Sequence, residues 1–228
     1  MPSTYIIHAM RTPIGKLSGQ LSHMRPDDMM AELIKDYTNS EPFQMQEVDD
    51  VIVGCANQAG EDNRNIARMA SILAGMPYEV PGVTLNRLCA SSLDGVLDAH
   101  ARVQAGFGDC FFVGGVESMT RGPLVISKAS GPFGRDSQMH DTTFGWRFPN
   151  SKMKKMFPLY SMGETAEVVA KEYKIDREKQ DEFALASHQK ATQAWEEGRF
   201  SAEVLPLDIP LRKETLHINK DEGPRKDT

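Results

Sequence analysis

The chain has 228 residues, with 26 basic against 32 acidic side chains, a formal charge of −6 and 40% hydrophobic content. That composition is ordinary for a soluble globular protein, and this length can bury a real core without disulfides. The acidic balance argues against a nucleic-acid binder, and no apolar run approaches the ~18 residues of a membrane span.

Residues 4–10 form a short β-branched and apolar run that reads as a strand, ending at the turn signal Arg11-Thr12-Pro13-Ile14-Gly15. Pro26 opens an acidic first turn with Asp27 and Asp28, and Met29, Met30, Leu33, Ile34 and Tyr37 follow at helical spacing. Residues 48–53 predict a second strand that ends at Gly54. Ile66, Met69, Ala70 and Leu73 mark a helix stopped by Gly75 and Pro77, and residues 83–88 predict a third strand. Leu93, Val96, Leu97, His100 and Val103 trace one face of the next helix, which Gly106 ends; on that face His100 reads as a core histidine. Residues 110–113 predict a fourth strand, closed by Gly114-Gly115. Strands alternating with helices over short connections predict parallel pairing and an α/β layer architecture.

The character changes near Arg121. Residues 122–158 are rich in Gly, Pro, Ser, Phe and Lys with no sustained period, too long for an ordinary connection. Order returns at Met162 with a helix through Tyr173, and Asp176 caps a longer helix through Phe200. Strand-like pieces follow at residues 204–209 and 216–218.

Of the three cysteines, Cys89 stands out, because it lies in Asn86-Arg87-Leu88-Cys89-Ala90-Ser91-Ser92, where a predicted strand passes into a predicted helix. Backbone N–H groups and the positive end of a helix favour a thiolate there and can stabilise an oxyanion on a thioester. The alternative is a small buried residue, since free cysteine is often core. Cys110, between Asp109 and two phenylalanines, reads as inert core, and Cys55 as structural. No CxxC pair occurs and the opening MPSTYIIHAMRTP lacks a signal-peptide pattern, so reduced thiols in the cytoplasm are expected. The six histidines make no metal pattern, and no phosphate-binding glycine loop is present. Gly114-Gly115-Val116-Glu117-Ser118-Met119 implies close backbone approach to a neighbour or ligand, or a plain tight turn. Lys152, Lys154 and Lys155 read as a solvated charge run, with phosphate as the alternative occupant.

Taken together these motifs resemble the thiolase family. Arg11 through Gly15 is similar to its opening turn, Asn86 through Ser92 to the segment around its acylated cysteine, and Gly114 through Met119 to its GGVESM motif. Met162-Gly163-Glu164-Thr165-Ala166-Glu167 resembles its loop-domain signature, and residues 176–200 resemble it through DEFALASHQKA and EEGRF. The resemblance implies the thiolase fold, an α/β architecture in which two similar halves pack together and a loop domain interrupts the first. Here the βαβαβ-type, nucleophile-bearing half is expected at residues 1–121 and the loop domain at residues 122–228.

The implied reaction is exchange on a 3-ketoacyl-CoA. Cys89 forms an acyl thioester, acetyl-CoA leaves, and the acyl group passes to a second coenzyme A, a substrate and not a cofactor; the reverse is a Claisen condensation. By the same resemblance Arg225 lies against the nucleotide end of coenzyme A and Met162 lines the pantetheine tunnel. Ser161 stands where many acetoacetyl-CoA thiolases carry a histidine. Residues 54–64 and Gly145-Trp146-Arg147-Phe148 resemble the 3-oxoadipyl-CoA thiolases of aromatic degradation, with Arg147 a candidate cation for an extra substrate carboxylate. Residues 127–143 resemble a tetramer-forming loop, so a homo-oligomer is expected. The family's GHP and CxG motifs, which carry the activating histidine and second cysteine, are absent. The chain is therefore expected to be an N-terminal portion, inactive when isolated. A non-catalytic subunit that binds acyl-CoA or a partner is the alternative, and a related condensing enzyme a third reading.

Overall fold

A computed structural model of the protein describes residues 3–40 and 45–227. The chain divides into two units, Met1–Arg121 with Ser201–Glu222, and Gly122–Phe200 with Gly223–Thr228.

In the first unit, helix α1 (Pro26–Ser40) precedes strand β1 (Asp50–Gly54), helix α2 (Ile66–Leu73), strand β2 (Gly82–Leu85), helix α3 (Ser91–Ala105) and strand β3 (Phe111–Gly115). The sheet runs β2-β1-β3, both pairs parallel, with Val51 opposite Gly82 and Phe112. A central parallel strand is covered on both faces, and all five residues of β1 are buried. Side chains alternate along it. Val51 and Val53 pack with Ile34, Ile66, Ala70 and Phe112, on the face of α1 and α2. Ile52 faces α3, whose Gly95 lies against Ile52 and Val113. Gly106 caps α3 in the left-handed conformation, as the sequence reading placed it.

The burial of α3 corrects one expectation. Its buried residues are Ser91, Gly95 and Ala99, a row of small side chains set four apart against the sheet. Leu93 and Leu97 are 61% and 58% exposed on the outer side. His100 is exposed as well and is no core histidine; its Nδ1 is 3.0 Å from the hydroxyl of Thr4. Small residues allow the helix backbone to approach the sheet closely, and the larger apolar residues are left outside.

Three further differences have simple causes. Residues 4–10 form no strand in the described structure, and the first pairing is Arg11 with Val204. Strand β2 ends at Leu85, because residues 86–90 leave the sheet to build a turn. Gly114 and Gly115 lie inside β3 and do not close it. A Cβ at Gly115 would meet Ser92 Cβ at 2.6 Å, and one at Gly114 would meet Met30 Cε at 2.6 Å, so the close approach is to protein neighbours.

Residues 201–222 also depart from the expected division. They pack with the first unit, because strands β6 (Leu207–Pro210) and β7 (Thr215–Ile218) bury Leu207, Ile209 and Ile218 against Leu21 and Met29. Charge holds the same region. Arg11 pairs with Glu203 at 2.7 Å and with Asp221 at 2.8 Å. Glu222 accepts hydrogen bonds from the N–H groups of Lys16 and Gln20 at 2.9 and 3.1 Å.

The second unit contains an antiparallel hairpin of β4 (Leu124–Ile126) and β5 (Met139–Asp141), then helices α4 (Ser151–Met156), α5 (Met162–Glu172) and α6 (Arg177–Glu196). Residues 122–158 show no sustained period in sequence, yet the hairpin and α4 order part of them. Every buried apolar side chain among the described residues belongs to the first unit. Local devices shape the second: Asp176 caps α6 and Arg177 pairs with Asp181 one turn on. No helix among the described residues is long and apolar enough to cross a membrane.

Candidate active site

Cys89 is exposed, in the turn between β2 and α3. The turn is tight. Ala90 N–H donates to Arg87 O at 3.2 Å and Ser91 N–H to Leu88 O at 3.0 Å. Leu88 adopts φ of 52°, the left-handed region that residues with a Cβ seldom occupy. Asn86 spans the turn: its Oδ1 accepts from Leu88 N–H and its Nδ2 donates to Ala56 O, each at 3.0 Å. Ala90 takes the N-cap position of α3 and provides no side-chain cap. The positive end of the helix dipole therefore lies beside the cysteine, where a carbonyl oxygen that gains charge would be stabilised.

The other two thiols differ from it. Cys55 is buried, and burial, reinforced by Glu117 and Asp62, pushes its thiol up to about 12. Cys110 is half-buried, and burial with the nearby charges of Asp49 and Glu47 raises its thiol also. Cys55, Asp62 and Glu117 offer ligand atoms within 4.8 Å of one another. Yet Glu117 accepts from the N–H groups of Ala56 and Asn57 at 2.9 and 3.1 Å, so this cluster fastens the loop after β1. The GGVESM motif is visible in the sequence but this role is not, since the partners of Glu117 lie about sixty residues upstream.

The three residues expected to meet coenzyme A all lie in the second unit. Met162 is exposed at the start of α5. Ser161 caps that helix in a capping box: it accepts from Glu164 N–H at 3.3 Å, and Ser161 N–H donates to the Glu164 carboxylate at 2.7 Å. Arg225 is exposed, and its backbone N–H reaches His188 Nδ1 at 3.3 Å.

These thiols predict a labelling pattern. With iodoacetamide at pH 8, Cys89 should be alkylated in the folded chain while Cys55 is spared, its thiolate fraction being roughly one in ten thousand at four units below its pKa. A folded-state thiol raised from 9.0 to about 12 helps the fold below pH 9 and loses that contribution as pH climbs towards 12. Peptide mapping checks the pattern, and equal labelling of Cys55 and Cys89 would refute it.

A parallel α/β sheet thus sets an exposed cysteine just before the N-terminus of a helix. The thiolase N-terminal domain matches residues 4–228, and the chain belongs to the thiolase family. Beta-ketoadipyl-CoA thiolase of Acinetobacter baylyi is 48% identical over 230 residues, an alignment covering 100% of this chain and 57% of that protein. The 3-oxoadipyl-CoA/3-oxo-5,6-dehydrosuberyl-CoA thiolase of Escherichia coli is 46% identical, with the same coverage of both. The crystal structure of the Bacillus anthracis acetyl-CoA acetyltransferase aligns with a TM-score of 0.84 at 32% identity, covering 96% of this chain and 54% of that one. The chain thus spans a little over half the length of these curated relatives.

Proposed function

We propose that this chain carries the acyl-accepting part of a thiolase that cleaves a 3-ketoacyl-CoA. The observation that carries the reading is Cys89, exposed in a strained turn at the uncapped start of α3. The Cys89 sulfur bonds to the ketone carbon, the adjacent carbon–carbon bond breaks, and the departing enolate takes a proton to leave as acetyl-CoA. The acyl group then moves from Cys89 to the sulfur of a second coenzyme A, which regenerates the thiol. Splitting the cleavage into two thioester steps avoids one high barrier.

The substrate we favour is 3-oxoadipyl-CoA, on the names of the two relatives above, with Arg147 as the candidate partner for its distal carboxylate. Arg225, Met162 and Ser161 belong to this reading as coenzyme A contacts, Ser161 with its side chain already engaged in the cap. No cofactor beyond the substrate coenzyme A is required, and assembly as a cytoplasmic homotetramer through residues 127–143 completes the proposal.

Incubating the chain with acetyl-CoA and mapping adducts by mass spectrometry tests it. An acetyl group on the Cys89 peptide, absent from Cys89→Ala, is the expected result, without steady-state thiolysis. Coenzyme A binding with no Cys89 adduct would replace the reading by a non-catalytic acyl-CoA binder. Full thiolysis by the chain alone would show that the catalytic set is complete within it.

A further inference from the structure

We infer that Ser91 is a positioning residue that holds the Cys89 turn in place, acting through the backbone of Arg87 and Leu88. The inference rests on Cys89 being the acyl-accepting nucleophile.

Ser91 is 4% exposed. Its Oγ accepts a hydrogen bond from Arg87 N–H at 2.9 Å, and its hydroxyl donates to Leu88 O at 2.5 Å. Its own N–H reaches that same carbonyl at 3.0 Å. One side chain therefore ties together the two residues that precede Cys89. A serine at the start of a helix ordinarily turns its oxygen towards the N–H groups of the next turn. Here the N-cap is Ala90, and the serine hydroxyl points backwards into the loop.

The turn needs such a tie. Leu88 occupies the left-handed region and is 70% exposed, so packing of its own side chain does not hold it there. A strained backbone persists only where its surroundings over-determine it. Asn86 supplies the second tie, between Leu88 N–H and Ala56 O. The sheet supplies the third, since a Cβ built on Gly54 would lie 2.8 Å from Ser91 Cβ. Ser91 contacts the turn through both its side chain and its main chain while resting on the sheet.

Alkylation of Cys89 by iodoacetamide, followed by peptide mapping in the 228-residue chain, reads this directly and requires no coenzyme A. A failed acetylation experiment with an intact alkylation result would therefore count against the proposed function alone. Ser91→Ala should slow Cys89 alkylation at pH 7.5 by at least about fivefold. Cys55 should stay protected and the melting temperature should stay within a few degrees. Ser91→Thr, which keeps the hydroxyl, should restore the rate to within about twofold. If Ser91→Ala does not fold, Asn86→Ala should show the same selective fall from the other tie. An unchanged Cys89 rate in a folded Ser91→Ala or Asn86→Ala overturns the inference. So does a change that appears equally at Cys55, which would mark general loosening and not positioning.

Discussion

Replacing Gly54 by alanine should lower the stability of the first unit by roughly 3 kcal/mol, the upper range for overpacking a tight core, and the melting temperature by about 6–12 °C. The added Cβ would meet Ser92 N at 2.4 Å, Ser91 C at 2.5 Å and Ser91 Cβ at 2.8 Å. Two of those atoms are helix backbone, so no side chain can rotate away to relieve the clash. Either α3 lifts from the sheet or β1 bends, and each strains a contact that the other depends on. Strand β1 has little freedom, being paired on both sides with every residue buried. The start of α3 therefore has to move, carrying Ser91 and the Cys89 turn with it. The same substitution should also alter the rate at which Cys89 is alkylated. Thermal melts and alkylation kinetics on one preparation check both consequences. A Gly54→Ala chain that melts within 2 °C of the parent would show that this approach is looser than 2.4 Å implies.

The way α3 meets the sheet also explains what periodicity can and cannot reveal. Leu93, Val96, Leu97 and Val103 correctly mark a helix, but the row that faces the sheet is Ser91, Gly95 and Ala99. Both rows fit the helical repeat, the small one at every fourth residue and the apolar one at mixed three- and four-residue steps, so the sequence carries two candidate inner faces. Choosing the more apolar one assumes that large side chains always fill the core. Close packing of backbone on sheet uses small ones, and the rule then points outwards. Residues 4–10 show the converse limit, since β-branched composition marks an extended chain but does not provide it with a ladder partner.

Site residues were legible to the extent that their chemistry is local. Cys89 could be picked out as a candidate because a cysteine between a strand and a helix is a short-range pattern. Asp176 and Pro26 were legible as helix starts for the same reason. Ser91 was not, because a serine at a helix start looks like a cap whichever way its hydroxyl points. Glu117 was visible only within the GGVESM motif, since an N–H it accepts from lies 60 residues away, and the Asp221 bond to Ile14 N–H spans 207. No window along the chain contains both ends of such a bond.

Arg11→Met should cost the first unit roughly 2–3 kcal/mol, somewhat below the loss for breaking a fully buried ion pair. Arg11 donates through Nε to Glu203 at 2.7 Å and through Nη1 and Nη2 to the two oxygens of Asp221 at 2.8 and 3.1 Å. The partners differ in what they lose. The Glu203 side chain is 45% exposed and water can replace the arginine, whereas that of Asp221 is 11% exposed. Asp221 would keep only part of its support, notably the Ile14 N–H at 2.8 Å. The backbone of Arg11 is engaged too, with its N–H on Glu203 O at 2.8 Å and its carbonyl accepting from Leu205 N–H at 2.9 Å. Those bonds survive the substitution, so the loss reports the guanidinium itself. Arg11→Lys should recover less than half, because an ammonium keeps the charge but cannot form the fork to Asp221. Combining Arg11→Met with Asp221→Asn should cost clearly less than the sum of the single changes, since removing both charges leaves neither stranded. Urea denaturation of the four proteins provides the cycle. Additive losses, or a single Arg11→Met loss below about 0.5 kcal/mol, would show that the pairing is no stronger than an exposed surface ion pair.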